Sequence, residues 1–321
     1  IREDIRATSV EMESLDKNLV ESYLRGIRMN RENTANLSDE ELLALMGLTR
    51  DGKPTLAAVL CFSKYPQAQF PQLCLTAVLV PGTHMGDMAE DGQRFLNNKR
   101  IEGTIPQMVE GAVNFVARNM RAGVRIDNGK RTDVAEYPLT AVREAIINAL
   151  VHRDYSPYTE GTPVRLEMYQ DRLEIVNAGG LYGAIDIDEL GRIHADTRNK
   201  TLVSVLETMK VVENRYSGIP TIRKLFAESG LREPLFEDRH GLFRVVFYNA
   251  QTAKVTGDPE TLEEYCKIPR SRKEVAVFLN MTQAYAMRRY VEPLIEQGIL
   301  AYAIPEKPQA HNQRIVTVSK E

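Results

Sequence analysis

The chain has 321 residues, of which 43% are hydrophobic and 26% charged, a composition typical of a soluble globular protein with two or three domains. Its net charge of −3 excludes a broadly basic surface, so any DNA contact must come from a local patch. No apolar run approaches the roughly 20 residues that span a bilayer, and no membrane partner is predicted. The three cysteines lack metal-ligand spacing, which favours a cytoplasmic location. Because the sequence begins with Ile1, we expect it to belong to a longer protein.

Residues 1–131 are predicted to form an α/β scaffold segment. Ser38 and Glu41 have the spacing of a capping box and predict the start of a helix. Apolar spacing and enrichment in Val, Leu and Ala predict further elements: helices at 15–27 and 105–120, and strands at 56–62 and 73–80. Charged and glycine residues at 123–134 predict a surface loop at the domain boundary. No titratable cluster is present, so no chemistry is assigned to this segment.

Residues 132–250 are predicted to form a second domain that begins with a helix at 141–155. At 3.6 residues per turn, Glu144, Asn148 and His152 lie along one face of this helix. One interpretation is a solvated polar stripe on an ordinary surface helix. The other is a site in which a carboxylate, an amide and an imidazole share one face, and the residues that follow bear on that choice.

A hairpin and a glycine turn are predicted after this helix. The strand-like runs 164–169 and 173–176 flank the Asp171-Arg172 turn, and the second run leads into Asn177 and then Gly179-Gly180. Later apolar runs predict three helices and a closing strand: 185–190, 202–209, 221–229 and 242–248. This order predicts a mixed sheet that helices cover on one face, with the opposite face free for a neighbour.

These motifs, in this order, resemble the ATPase fold shared by gyrase, the large heat-shock chaperones, histidine kinases and MutL, called the GHKL fold. More narrowly, segments 143–155, 174–181 and 198–199 resemble a bacterial family of transcriptional regulators often described as RecG-like, in which a Schlafen-type AlbA domain precedes the ATPase module. Residues 55–66 resemble the segment that joins those two domains, and the AlbA-like domain itself is not in this sequence. The resemblance implies an α+β fold: a mixed-sheet sandwich of the GHKL type, with an amino-terminal α/β linker domain and a carboxy-terminal winged helix-turn-helix.

The resemblance also implies a site for ATP and magnesium. Asn148 would provide an oxygen ligand to Mg²⁺, and Glu144 would orient or deprotonate the attacking water. Gly179 and Gly180 would let the backbone approach the nucleotide, and Asn177 stands where the fold usually has an Asp that accepts the adenine amino proton. The remaining candidates for phosphate contact are a helix start and several cations: Gly218, Arg153, Arg198, Lys200 and Arg215. For Arg198, Lys200 and Arg215, solvated surface is the alternative. For Arg153, the alternative is structural support beside His152.

Residues 251–321 are predicted to form a winged helix. Helices at 272–279 and 283–297, a turn at 280–282 and two strands at 299–304 and 315–318 fit that arrangement. The side chains that a recognition helix and its flanks would offer to DNA are Thr282, Gln283, Tyr285, Arg288, Arg289, Arg270, Arg272 and Lys273. Ten Lys or Arg are balanced here by nine Asp or Glu, so dimerisation or docking is the alternative role.

The sequence therefore favours an ATP-binding transcriptional regulator in which nucleotide occupancy changes the arrangement of a DNA-binding winged helix. A weak Mg-dependent ATPase activity is left open. A Walker-type helicase is not supported, because the pattern Gly-x-x-x-x-Gly-Lys-Ser/Thr does not occur. The alternative is a non-enzymatic DNA-binding or protein-interaction regulator with a degenerate nucleotide site, which the replacement by Asn177 favours. Winged-helix regulators often read two half-sites, so the expected partners are a nucleotide, DNA and a second copy of the chain.

Overall fold

The computed structural model describes residues 2–127, 130–183, 185–192, 196–212, 218–249, 262–279, 281–308, 310 and 313–318, and gives the backbone alone at 122–134, 188 and 264. The chain divides into two compact units, Ile1–Asn249 and Ala250–Glu321. The first unit contains both the predicted scaffold segment and the predicted second domain.

A six-stranded mixed sheet forms the centre of the first unit. The strands of this unit are β1 (Thr49–Arg50), β2 (Lys53–Pro54), β3 (Leu75–Leu79), β4 (Asn97–Ile101), β5 (Ala122–Asp127), β6 (Lys130–Ala135), β7 (Val164–Met168), β8 (Arg172–Ala178), β9 (Leu235–Arg239) and β10 (Leu242–Tyr248). The sheet order is β4-β3-β7-β8-β10-β9, with β3 and β7 parallel and the other neighbours antiparallel. Because β3 pairs with β7, the boundary predicted near residue 131 falls inside one continuous sheet.

Helices cover one face of this sheet. The helices of the first unit are α1 (Lys17–Asn30), α2 (Asp39–Leu45), α3 (Leu56–Phe62), α4 (Ile105–Asn119), α5 (Leu139–Val151), α6 (Lys200–Thr208) and α7 (Gly218–Glu228). α4 packs on β3, α5 packs on β8, and α5 contacts both α4 and α7. Since side chains alternate along a strand, Leu173 and Ile175 of β8 and Phe247 of β10 all enter the core beneath these helices.

The opposite face of the sheet carries charged side chains that pair with one another. Glu174 of β8 is only 6% exposed, and its carboxylate lies 2.5 Å from Nε of Arg172 and 2.9 Å from a terminal guanidinium nitrogen of Arg244. Arg244 also lies 3.2 Å from Glu237 of β9. Buried charges need such partners, because an unpaired carboxylate in this position would lose its hydration without compensation.

The α+β class predicted from the sequence is confirmed, and so is the capping box of α2. The Ser38 hydroxyl accepts from the Glu41 amide at 3.2 Å, and the Ser38 amide donates to the Glu41 carboxylate at 2.8 Å. The strand predicted at 56–62 is wrong: this run is helix α3, and all seven of its side chains are buried. The loop predicted at 123–134 is also wrong, since β5 and β6 form an antiparallel hairpin there.

The second unit has its own small core around a three-stranded sheet. Its elements are α8 (Leu262–Tyr265), β11 (Arg270–Ser271), α9 (Arg272–Phe278), α10 (Gln283–Ala286), a π-helical turn (Met287–Val291), α11 (Glu292–Glu296), β12 (Leu300–Tyr302) and β13 (Arg314–Thr317). The sheet order is β11-β13-β12. Val275, Leu279, Val291 and Ile315 are fully buried between the helices and the sheet. In neither unit does any described helix have both the length and the apolar character needed to cross a membrane.

Candidate functional site

Glu144 and Asn148 lie one turn apart on α5, at the position the sequence predicts. Eight of the helix's thirteen residues are buried against the core, and that apolar stripe leaves these two side chains on the half-buried flank. The Asn148 amide nitrogen lies 3.4 Å from Oε1 of Glu144 and donates to it. With its nitrogen turned toward the carboxylate, the Asn148 oxygen is left to accept a donor or a cation.

Gly218 closes this part of the site from the facing helix. It is the first residue of α7, which packs along α5. A Cβ placed on Gly218 would lie 2.4 Å from Glu144 Oε1 and 3.0 Å from the Asn148 amide nitrogen. A larger residue would therefore have to displace the end of the Glu144 side chain, so glycine favours this close approach. The predicted cation Arg215 lies outside the described residues.

The predicted glycine turn lies at the carboxyl end of α5. Gly179 has φ of +95°, and a Cβ on it would lie 2.7 Å from Cβ and 2.8 Å from the amide nitrogen of Asp154. Both the positive φ and the close approach require glycine. A Cβ on Gly180 would collide with the Asp238 carboxylate at 2.4 Å, and that carboxylate accepts from the Leu181 amide at 2.9 Å. The turn is thus fixed between α5 and β9.

Asn177 precedes this turn, near the end of β8. It is 3% exposed and shares its strand face with Leu173 and Ile175, the face that α5 covers. Its amide nitrogen lies 3.3 Å from the Ala178 carbonyl oxygen, a weak donor contact. A polar side chain therefore occupies the apolar face at the place where the resemblance predicts contact with a nucleotide base.

Arg198 contacts the glycine turn directly. Its guanidinium donates to the Gly180 carbonyl at 2.7 Å, lies 3.7 Å from the Asp154 carboxylate and stacks at 5.2 Å from the centroid of the Tyr182 ring. Lys200 lies 3.0 Å from Asp196, and both of these side chains are more than half exposed. Arg198 is therefore part of the turn, whereas Lys200 is in a surface ion pair.

Arg153 lies inside the protein rather than in the site. Its side chain is 1% exposed and donates to the carbonyls of Thr159 and Thr162 at 2.8 and 2.6 Å. This geometry favours the structural-support alternative, since no part of the guanidinium is accessible to a phosphate. Beside it, the exposed His152 lies after the last residue of α5, with its Nδ1 3.3 Å from the Thr197 hydroxyl.

Sequence reasoning gave no role to Asn199 or Asp238, although both hold the site together. Asn199 is 1% exposed, and its amide donates to the carbonyls of Val151 and Arg153 at 2.8 and 2.7 Å. It thereby satisfies carbonyls that the end of α5 leaves without helical partners. A role for Asn199 could have been found from the sequence, because it is a residue type that often caps helices and it stands beside Arg198 just before a helix. Nothing in the sequence connects Asp238 with Gly180.

In the second unit, the predicted DNA-contacting residues fall into two groups. Thr282 caps α10, accepting from the Tyr285 amide at 3.4 Å, and the exposed side chains that follow are Gln283, Arg288 and Arg289. Arg288 and Arg289 lie in the π-helical turn. By contrast, Arg272 is half-buried, donates to the Pro308 carbonyl and lies 5.8 Å from the Tyr302 ring centroid, while Arg270 donates to the Tyr265 carbonyl at 3.2 Å. Lys273 is exposed.

Residues 161–247 match the sequence profile of a protein family described as "Putative ATP-dependent DNA helicase recG C-terminal". The matched span includes the glycine turn, Arg198 and Gly218, and begins after Glu144 and Asn148. Among solved structures, the DIP2311 protein from Corynebacterium diphtheriae is similar, with a TM-score of 0.58 at 15% sequence identity. The similarity covers 99% of this chain and 64% of that chain, so this chain spans less than two thirds of that protein. At this identity the likeness concerns the fold alone. No curated protein sequence matches the chain.

Proposed function

We propose that the first unit binds ATP with magnesium on the flank of α5. The observation that carries the proposal is the close approach of Gly218 to Glu144 and Asn148, which brings a carboxylate and an amide together at the start of a helix. The family match over residues 161–247 supports it, because that family is ATPase-like and the match covers the glycine turn and Gly218.

The side chains around this approach suit a magnesium nucleotide. Mg²⁺ prefers oxygen ligands and commonly takes one or two from the protein, with the rest from water and phosphates. The Asn148 amide, held by its nitrogen at Glu144, presents such an oxygen. The first turn of a helix has amides without partners inside the helix, so the start of α7 and its helix dipole would favour phosphate oxygens. When bound, magnesium would neutralise charge on the phosphates. The remaining contacts with the nucleotide would come from residues of this chain.

Glu144 is the residue we assign to hydrolysis. A carboxylate can accept a proton from water or orient it, and Glu144 projects from the same flank as Asn148, toward the start of α7. Its second role is to hold the Asn148 amide. Hydrolysis is a Mg-dependent phosphoryl transfer in this proposal, and it differs from Walker-type helicase chemistry because the chain has no Walker A pattern.

Calorimetric titration of the chain with ATP and magnesium tests binding. We expect Asn148→Ala to weaken Mg-dependent affinity about tenfold or more, because it removes one oxygen ligand. Asn114→Ala is the matched control, since Asn114 is an exposed asparagine on α4. Equal affinities for the parent and for Asn148→Ala would remove the metal role. The absence of any binding at millimolar ATP would refute the proposed function and leave the alternative of a degenerate nucleotide site.

Phosphate release tests the role of Glu144 separately. We expect Glu144→Gln to bind ATP with near-parent affinity and to lose about a hundredfold in turnover, as general-base variants do. Glu110→Gln, an exposed glutamate near the middle of α4, controls for the loss of one charge. If Glu144→Gln hydrolysed ATP at the parent rate, the general-base assignment would be wrong.

We further infer that the second unit is a winged helix that binds DNA and that the chain is a cytoplasmic transcriptional regulator. Support comes from the exposed side chains Gln283, Arg288 and Arg289 after a capped helix start, and from a π-helical turn, a feature frequent at functional sites. The three free, buried cysteines fit a reducing compartment. If ATP binds one arrangement of the protein tenfold more tightly, about 1.4 kcal/mol becomes available to change DNA affinity.

DNA affinity at several salt concentrations tests this role. Arg288→Ala combined with Arg289→Ala should weaken DNA binding by tenfold or more. The slope of log affinity against log salt concentration should also become shallower, by the amount expected for about two lost phosphate contacts. Arg94→Ala combined with Lys99→Ala, two exposed cations of the first unit, is the control of equal charge. Equal loss in both double variants would indicate nonspecific attraction, and no loss in either would favour the docking alternative. Sedimentation of the free and DNA-bound chain then tests the predicted homodimer.

A further inference from the structure

The start of α6 is capped from a distant part of the chain. Asn199 occupies the residue before the helix, where an asparagine side chain normally accepts from the first helical amides. Here its side chain makes no such bond, and its amide nitrogen donates to the carbonyls of Val151 and Arg153. The first amides of α6 therefore need another acceptor.

Asp4 supplies that acceptor. Its Oδ2 accepts from the Thr201 amide at 2.7 Å and from the Leu202 amide at 3.3 Å, across 197 and 198 positions of sequence. The side chain is 1% exposed and lies in the short helical turn Glu3–Ile5. A carboxylate at this place also interacts favourably with the positive end of the helix dipole. Asp4 thus caps the amino end of α6, whereas Asn199 caps the carboxyl end of α5.

The segment just before α6 connects this cap to both parts of the candidate site. Arg198 donates to the Gly180 carbonyl at 2.7 Å, and Asn199 holds the carbonyls at the end of α5. Two neighbouring residues therefore fix the glycine turn and the helix that carries Glu144 and Asn148. Both residues lead directly into the first turn of α6, whose amides donate to Asp4.

We propose that Asp4 is a positioning residue for the nucleotide site: by capping α6 it fixes Arg198 and Asn199, and through them the glycine turn and the end of α5. This rests on the proposed function. Without the cap the first turn of α6 frays, and ligand binding then includes the cost of ordering these segments again. The effect reaches ATP through the protein backbone, without contact between Asp4 and the nucleotide.

Hydrogen exchange in the absence of nucleotide is the first test. In Asp4→Ala we expect about fivefold faster exchange of the Thr201 and Leu202 amides, and also of the Asp154 and Leu181 amides. Asp4→Asn should restore slow exchange, because asparagine caps as well as aspartate does. The control Ser38→Ala removes a comparable cap from α2, away from the site, and should leave Asp154 and Leu181 unchanged.

Faster exchange at Thr201 and Leu202 alone would overturn the proposal, because the cap would then be a local stabiliser. Equal acceleration of Asp154 and Leu181 in Ser38→Ala would also overturn it, since the effect would reflect general loss of stability. If Asp4→Ala does not fold, Asn199→Ser breaks the next link and should speed exchange at Asp154. Unchanged exchange there would contradict the proposed connection.

ATP titration is the second test. Asp4→Ala should weaken Mg-dependent ATP affinity about fivefold, with Asp4→Asn and Ser38→Ala at the parent value. A parent protein that binds no nucleotide would refute the proposed function, whereas the exchange measurements would still decide whether Asp4 positions the turn. Unchanged affinity in Asp4→Ala, in a parent that does bind ATP, would refute the role of Asp4 alone.

Discussion

The two faces of the six-stranded sheet exclude water by different means. The face beneath α5 and α7 does so with apolar side chains such as Leu173 and Phe247, whereas the opposite face combines ion pairs around Glu174 with buried apolar side chains such as Val246. Apolar burial is non-directional and proportional to area, so it fixes which face of each strand points inward. Paired charges stabilise little in net terms, but removing one partner is costly. The first face therefore determines the fold, and the second limits which substitutions the fold tolerates.

The largest expected effect is on the apolar face. Phe247 is fully buried, and its ring centroid lies 4.5 Å from that of Phe226 on α7. Phe247→Ala should lower the free energy of unfolding by about 3–5 kcal/mol, because it leaves a cavity in a close-packed core. Urea unfolding followed by circular dichroism measures the change. Tyr158→Ala, at a side chain 97% exposed, should change it by less than about 0.5 kcal/mol.

On the charged face, Glu174→Gln should lower the free energy of unfolding by about 1–3 kcal/mol. The neutral amide leaves Arg172 and Arg244 without their shared counter-charge, and their partial exposure keeps the loss below that of a fully buried pair. The control is Glu228→Gln, whose pair with Lys224 at 3.7 Å is more than half exposed and should matter by less than about 0.5 kcal/mol. Equal effects would mean that the buried charges around Glu174 stabilise the protein no more than a surface ion pair does.

Asn177 is a polar residue among the apolar side chains of β8. Substituting it tests whether this side chain contacts the nucleotide base. In Asn177→Asp the side chain can only accept, so it should favour the adenine amino group over the guanine carbonyl. We expect the ratio of ATP to GTP affinity to rise about tenfold, which corresponds to roughly 1.4 kcal/mol. Calorimetry with both nucleotides measures the ratio, and Asn114→Asp is the exposed control. An unchanged ratio would place the base elsewhere.

The smallest effect concerns Tyr169 on the charged face. Burial raises the pKa of Tyr169, and so do the charge of Glu167 and the hydrogen bond that its hydroxyl donates to Glu167 at 2.9 Å. Because the tyrosine pKa is higher in the folded protein than in the unfolded chain, where it is about 10, the protonated group stabilises the folded protein below pH 10. This contribution to the free energy of unfolding is lost as pH rises above about 10. As pH rises to 10.5, the free energy of unfolding of Tyr169→Phe should therefore fall by about 0.8 kcal/mol less than that of the parent. Tyr158→Phe, at an exposed ring, should match the parent's loss over the same pH range.

The parts of the fold with a clear period were predictable. Helix α5 and the β7–β8 hairpin follow from apolar spacing, and the box of Ser38 and Glu41 from local capping chemistry. Leu56–Phe62 was not predictable, because a continuous apolar run that is buried all round has no face to reveal its period. Strand β4 was missed since Asn97–Arg100 are exposed and polar at the sheet edge.

The candidate site shows the same division. The spacing of Glu144 and Asn148 places them together because i and i+4 are neighbours on any helix. Contacts made by tertiary structure were out of reach: the Asp4 cap joins residues nearly two hundred positions apart, and Arg153 is buried although arginine is seldom fully buried. The alternative of structural support for Arg153 could be stated from sequence, but only its carbonyl partners favour it.

The parallel pairing of β3 with β7 has a consequence for biosynthesis. Leu75–Leu79 lie beside Val164–Met168, which pair with β8, and β8 in turn pairs with β10, which ends at Tyr248. When the ribosome has reached residue 131, β3 has no partner on its inner edge, and that edge stays open until β7 emerges. At about 5–20 residues per second, the interval lasts several seconds. The interval before β7 emerges is therefore the stage at which chaperone binding or aggregation competes with folding.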